Sequence, residues 1–177
     1  MSKYTLIVPI AADTDKMGTE MPYLFGLDSN GLMYCVKSIM GLPLEAFSDI
    51  YFTILHKHNL RYKLLEMMQI QFERLGIAHK THVYELWEST SSQPETLYHT
   101  VVGNHITGAV LFKDGDSYFT TEVYPENMLY IFPLDGLQVV NPQNKSYVTI
   151  DEQYYITNII EKKIVSRFFC AGGYSIE

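Results

Sequence analysis

Tyr4-Thr-Leu-Ile-Val-Pro-Ile-Ala11 is a continuous apolar, β-rich run with no alternation of polar and apolar residues. A strand of that kind suits a position covered on both faces, as in a parallel sheet between two layers of helices. The segment that follows, Ala12-Asp-Thr-Asp-Lys-Met-Gly-Thr-Glu-Met-Pro22, is polar and carries Gly18 and Pro22, the composition of a loop. Further along, residues 32–41 (LMYCVKSIMG) predict a helix stopped by Gly41 and Pro43. Ser48-Asp-Ile-Tyr-Phe-Thr-Ile-Leu55 predicts a second strand. Asn59 predicts the N-cap of a helix over residues 60–75, with Leu60, Leu64, Met67, Met68, Phe72 and Leu75 at helical spacings and Gly76 past its end. Residues 79–86 read as a third strand and 89–95 as a polar loop. Pro94 is placed to open a short helix through Thr96 to Val102, before a fourth strand over Ile106–Phe112. Strands alternating with helices specify βαβ units. The expected class is therefore α/β, a three-layer mixed sheet with helices on both faces.

After Asp116 the pattern changes. Residues 128–134, 147–150, 156–161 and 168–176 read as short strands joined by turns, Asp135-Gly136 and Asn141-Pro142 among them. An α/β front half and an antiparallel rear half fit one domain over 1–177, a length within the ~100–200 residues usual for a domain. With 47% hydrophobic and 19% charged residues, the chain is not of disordered composition. No run approaches the ~18 apolar residues of a membrane span, and the N-terminus reads as a first strand rather than a signal peptide. Cys35 and Cys170 make no disulfide framework, so the expected setting is the cytoplasm, with no membrane partner. A formal net charge of -7 argues against a nucleic acid polymer as partner.

In open α/β sheets, ligands gather beyond the carboxyl ends of the strands. The loops leaving those ends hold the polar clusters at 13–20, 89–96 and 113–117. The sharpest is Lys113-Asp-Gly-Asp116: two carboxylates one residue apart at a strand end can hold a hard divalent cation, or can simply form an Asp-Gly turn. Glu161-Lys162-Lys163 ends a β-rich run and reads either as a ligand contact or as a solvated charge cluster. Adjacent residues of an extended segment project to opposite faces, so only one of Glu161 and Lys162 can point inward without a bulge. Tyr147, Tyr154, Tyr155 and Tyr174 are available to stack on sugars or bases, or to half-bury in a sheet. His56 and His58, at i and i+2 after a strand, form either a two-ligand metal pair lacking a third ligand or a helix-start cluster. Neither cysteine neighbours a histidine at a spacing that suggests a nucleophile.

Taken together, these residues resemble the sugar-phosphate nucleotidylyltransferases, a family with a Rossmann-like, glycosyltransferase-A-like fold, over most of the chain and in the version found in capsule and surface-polysaccharide clusters. Val8-Pro-Ile-Ala-Ala-Asp-Thr-Asp-Lys-Met-Gly-Thr-Glu-Met-Pro-Tyr-Leu24 stands where the family carries its Gly-rich phosphate signature. Ser91-Ser-Gln-Pro-Glu-Thr96 stands where the base is contacted, and Asp116 where a metal-binding aspartate is kept. Ile156-Thr-Asn-Ile-Ile-Glu-Lys-Lys163 and Ala171-Gly-Gly-Tyr-Ser175 look like the family's E-K segment and following G-x-Y strand. The resemblance implies transfer of a nucleoside monophosphate from a nucleoside triphosphate to a sugar phosphate, with Mg2+ as cofactor. In that assignment Lys16 and Asp116 are catalytic, Asp114 and Asp116 hold the metal, and Ala11, Ala12 and Gln93 bind nucleotide. Glu161, Lys162 and Gly173 bind the sugar phosphate.

The chain departs from the pattern in three places. Ala11, Ala12 and Asp13 replace the signature glycines, and side chains there obstruct the approach of backbone N–H groups to an anion. Asp13 and Asp15 set negative charge where a triphosphate lies, each close pair costing about 4 kcal/mol at an effective dielectric near 20. Met21 replaces the lysine expected before Pro22, and Lys16, standing in for an arginine, cannot copy its bidentate clamp. The family's second metal-binding aspartate falls past Glu177, so the chain is expected to lack the C-terminal part of the family fold or to be a piece of a longer one. These departures support an alternative: an inactive or regulatory relative that keeps the fold and a partial pocket. Phe168–Tyr174, if at a sheet edge, predicts self-association into a homo-oligomer.

Overall fold

A computed structural model describes residues 4–11, 21–124, 126–135 and 144–177. Lys16, Ala12, Asp13 and Asp15, with Gly136 and the Asn141-Pro142 turn, lie outside the described residues. The chain divides into two compact units, Met1–Asn127 with Ser175–Glu177, and Met128–Tyr174.

The first unit is built on four parallel strands: β1 (Tyr4–Ile10), β2 (Phe47–Leu55), β3 (Thr81–Leu86) and β4 (Val110–Lys113). Their order is β3-β2-β1-β4, each neighbouring pair parallel. Its helices are α1 (Tyr34–Lys37), α2 (His56–Tyr62), α3 (Leu64–Arg74) and α4 (Gln93–Gly103). β1 is central, and Leu6, Ile7 and Val8 are wholly buried, as a strand without alternation requires. Successive residues of β2 show what covers the sheet. The ring of Phe52 stacks on Phe72 of α3 at 5.2 Å, while the Thr53 hydroxyl meets that of Thr100 on α4 at 2.7 Å. Because adjacent strand residues face opposite ways, α3 and α4 lie on opposite faces. Each full burial of a side chain such as Phe52 or Phe72 contributes about 1.5–3 kcal/mol, so the apolar run quoted first is what fixes this layer.

The chain steps outward from β1 through β2 to β3, then returns past β1 to place β4 on its other side. The reversal between β1 and β4 is a topological switch point, and it opens a crevice at the carboxyl ends of those two strands.

The second unit holds β5 (Met128–Pro133), β6 (Ser146–Ile150), β7 (Ile156–Glu161) and most of β8 (Phe168–Ile176). β6 pairs antiparallel with both β7 and β8, and β5 pairs with β8. Tyr147, Val148 and Phe169 are buried. With four parallel strands, an antiparallel set and helices on two faces, the chain has the expected mixed α/β architecture.

Several elements differ from the sequence expectation. The helix over 60–75 is two helices: Lys63 adopts a left-handed conformation (φ 56°), ending α2 and starting α3. Asn59 does not cap at residue 60, since α2 begins at His56; its side-chain oxygen instead accepts from the Leu65 N–H across the break, at 3.0 Å. The helix over 32–41 shrinks to α1, and the fourth strand begins at Val110 rather than Ile106. The segment 168–174 is not an edge, because β8 has strand partners in both β5 and β6.

Candidate functional site

At the switch point, β4 runs out at Lys113 and the chain turns through Asp114-Gly115-Asp116. Gly115 sits against the end of β1: a Cβ built there would lie 3.6 Å from both Ile10 and Val8. Lys113 is wholly buried, and its ammonium donates to the Asp114 carbonyl at 3.0 Å and to the Ser117 hydroxyl at 2.6 Å. The Ser117 carbonyl also accepts from it, and the Phe119 ring lies 4.6 Å away. A buried ammonium needs such partners, and this one gathers the loop around itself.

Curled this way, the loop turns its two carboxylates toward different elements. Asp114 accepts from the Gln93 side chain at 2.5 Å, Gln93 being the first residue of α4. Asp116 accepts from the Tyr23 hydroxyl at 3.1 Å, on the 3-10 turn Tyr23–Phe25. Of the residues assigned from the sequence to base and metal, the structure joins Gln93 to Asp114 and sets Asp116, two residues on, against Tyr23. A cleft of about 260 Å3 opens beside them, lined by Tyr23, Tyr34, Tyr118, Lys37, Ser38 and Asp116. The Tyr23 ring is largely exposed, but its hydroxyl meets Asp116. Loss of water around that hydroxyl, then the charge of Asp116 and its hydrogen bond, and lastly the charge of Asp114, push the phenol up to about 12.

Among the described residues, Lys37 is the cation that lines the cleft. Its ammonium donates to Asp28 at 2.8 Å, and Asp28 also accepts from the backbone N–H groups of Asn30 and Leu32 at 2.8 and 3.0 Å. The Lys37 bond first, then the two backbone bonds, hold the Asp28 carboxyl down at about 2. Sequence reasoning missed Tyr23, Lys37 and Asp28, because nothing in a loop of mixed composition marks which residues fold back over a strand end. Lys113 was legible as part of a charged motif, but its burial was not.

Ala11 is buried against Leu55 and Leu86, at the ends of β2 and β3. Glu161 and Lys162 are exposed and form an ion pair with each other at 2.9 Å. Lys162 takes a left-handed conformation (φ 57°), which removes the opposed projection expected of adjacent extended residues. Gly173 is buried within β8. His56 and His58 do not form a metal pair, because both fall in the first turn of α2, where positions i and i+2 diverge. His56 binds Glu85 at 2.7 Å and stacks on Trp87, whereas His58 is buried beside Phe25. Among the described residues, no three His, Cys, Asp or Glu side chains are grouped to hold a metal unaided. Of the tyrosines, Tyr147 is core, and Tyr154 and Tyr155 are exposed.

No protein-family model matches the sequence, and no curated protein matches it. Solved structures do match. The inositol-1-phosphate CTP transferase from T. maritima superposes with a TM-score of 0.72 at 14% identity, covering 98% of this chain and 70% of that one. The nucleoside-diphosphate-sugar pyrophosphorylase from Vibrio cholerae RC9 gives 0.73 at 17% identity, covering 98% and 72%. A putative glucose-1-phosphate thymidylyltransferase from Bacillus anthracis gives 0.72 at 13% identity, covering 99% and 72%. The fold is the one these nucleotidyltransferases share. At such identities the likeness extends to the fold and not to individual residues. No helix among the described residues is long and apolar enough to cross a membrane.

Proposed function

We propose that the chain is a nucleotidyltransferase that moves a nucleoside monophosphate from a nucleoside triphosphate to a sugar phosphate, releasing pyrophosphate. The observation that carries this reading is the placement of Asp114 and Asp116 at the β1/β4 switch point, with Gln93 from α4 bound to one of them. Two carboxylates on a strand end suit Mg2+, which takes oxygen ligands and completes its shell with water and substrate phosphates. The donor set fits: Asp116 accepts one bond, through Oδ2, from Tyr23, and carboxylate oxygens are the ligands a hard cation takes. In this reading Mg2+ neutralises phosphate charge at an acidic site, the main requirement of phosphoryl transfer. Gln93 contacts the base and Lys16 supplies a phosphate contact. The neighbours' names, an inositol-1-phosphate CTP transferase and a glucose-1-phosphate thymidylyltransferase, support a phosphorylated polyol or sugar as acceptor. The resemblance to capsule and surface-polysaccharide enzymes, acting in the cytoplasm, gives the product its use as an activated sugar.

A second reading, a relative that binds ligand without catalysis, is favoured by Ala11, whose methyl group fills the end of the β1 strand that a glycine would leave open. Calorimetry with each nucleoside triphosphate and Mg2+ separates the two, followed by turnover with sugar 1-phosphates and repetition on Asp116→Ala. Binding and pyrophosphate release, both lost in Asp116→Ala, support the enzyme. Binding without release in any combination supports the second reading, and no binding at millimolar concentration removes both.

A further inference from the structure

The β6–β7 hairpin has an outer edge with no strand beside it among the described residues. From Asp151 to Ile164 every residue is exposed except Ile160, which is half-buried. Between its charged ends the exposed set carries large apolar side chains: Tyr154 is 78% exposed, Tyr155 72%, Ile159 50% and Ile164 57%. Natural edge strands are normally blunted by lysine, proline or a bulge. Residues Ile156–Ile160 contain neither lysine nor proline, and the bulge that β7 carries at Thr157, opposite Thr149 and Ile150, falls near the turn and leaves Asn158–Glu161 regular. The turn of the hairpin is also hydrogen-bonded. The Asp151 carboxylate accepts from the N–H groups of Gln153 and Tyr155, at 3.0 and 2.8 Å, so both tyrosines are presented on an ordered turn.

We infer that the free edge of β7 is a dimerisation surface that pairs antiparallel with β7 of a second copy of this chain about a two-fold axis. Charge selects the copy as occupant. Two-fold antiparallel pairing brings the beginning of one strand beside the end of the other. The beginning is preceded by Asp151 and Glu152, and the end carries Glu161, ion-paired with Lys162 at 2.9 Å, and then Lys163, which leaves it a net positive charge. Opposite charges therefore meet twice, once at each end of the contact. A parallel arrangement would set each charged cluster against its own like, which is destabilising. The same arrangement lays Tyr154 and Tyr155 of one copy over the basic, apolar segment Lys162–Ile164 of the other, giving ring faces to ammonium groups and to Ile164. The contact is isologous, and it consumes both open edges instead of propagating a fibre.

The test is sedimentation velocity of the full chain over a concentration series, in low and in high salt. A monomer of 20.4 kDa that converts to a species of twice that mass as concentration rises, less readily in high salt, is the expected result. Ile159→Lys, a change at an exposed side chain, is expected to weaken association at least tenfold. Lys163→Glu is expected to weaken it as well, and adding Glu152→Lys to that variant to restore it. Circular dichroism on each variant establishes that the fold is kept. A chain that stays monomeric throughout overturns the inference, as does a dimer indifferent to Ile159→Lys or a charge pair whose exchange gives no rescue.

Discussion

Asp28 makes three hydrogen bonds with its carboxylate, and the largest influence on it is the ammonium of Lys37. Its side chain is only 7% exposed, so the charge is held by partners rather than by water. An acid lowered from its ordinary 3.8 to about 2 in the fold binds its proton less tightly there than in the unfolded chain. The stabilisation is present above the unfolded value and is lost as pH falls through the folded one. Thermal midpoints measured from pH 5 down to pH 1.5 are therefore expected to carry a slope between about 4 and 2 that Asp28→Asn removes. The variant should also be less stable at neutral pH, because Lys37 and two backbone N–H groups lose their charged acceptor. A slope unchanged in Asp28→Asn would show that other carboxyls govern the acid limb. The consequence reaches the cleft, since Asp28 fixes Lys37, which lines it.

At the scale of elements, α4 and the α2–α3 break show opposite degrees of legibility. The start of α4 is written in Ser92-Gln-Pro-Glu95: the Ser92 hydroxyl accepts from the Glu95 N–H at 3.4 Å, and Glu95 reaches back to the N–H and hydroxyl of Ser91, each at 2.6 Å. This is a capping-box arrangement whose members are adjacent in sequence, so local chemistry announces it. Ser92→Ala is expected to cost about 0.5–2 kcal/mol in urea unfolding, and to loosen the hold of Gln93 on Asp114. Lys63 is the contrary case. Nothing about a lysine signals a left-handed residue, and the apolar spacing runs on through it, so one helix was the natural reading. The break is imposed from outside the segment, where α2 leaves the end of β2 and Phe72 of α3 stacks on Phe52. A left-handed non-glycine residue costs about 1–2 kcal/mol, and glycine in its place gives back part of that in backbone entropy. Lys63→Gly is therefore expected to raise stability by up to about 1 kcal/mol; a loss of stability would mean that the Lys63 side chain contributes to packing. The candidate site divides in the same way. Gln93, Asp114 and Asp116 were legible because each sits beside a strand end that its own sequence declares. Tyr23, Lys37 and Asp28 arrive through a long excursion between β1 and β2, and only tertiary packing brings them there.

At the scale of the molecule, the two cysteines act as separate reporters, one in each compact unit. Cys35 is on α1, wholly buried with Val36 in the core of the first unit, and burial pushes its thiol up to about 12. A group so placed is neither accessible nor a thiolate at neutral pH, and both conditions are needed for reaction with a disulfide reagent. Cys170 is on β8 in the second unit, half-buried, with its sulfur hydrogen-bonded to the Tyr174 hydroxyl at 3.0 Å and to the Gly172 N–H at 3.3 Å. Labelling of Cys170, half-buried in its strand, needs a more local opening. Labelling of Cys35 needs the unit built on β1 to open, an event near the global limit. Native protein treated with an aromatic disulfide is expected to lose one thiol rapidly and the second many orders of magnitude more slowly, with both lost at once in concentrated guanidinium. Cys170→Ser should abolish the fast phase and Cys35→Ser the slow one. Added urea should accelerate the slow phase steeply, because opening the first unit exposes a large surface, and leave the fast phase almost unchanged. Equal rates in the native state would contradict the burial of Cys35, and with it the packing of α1 against the sheet whose carboxyl end carries the candidate site.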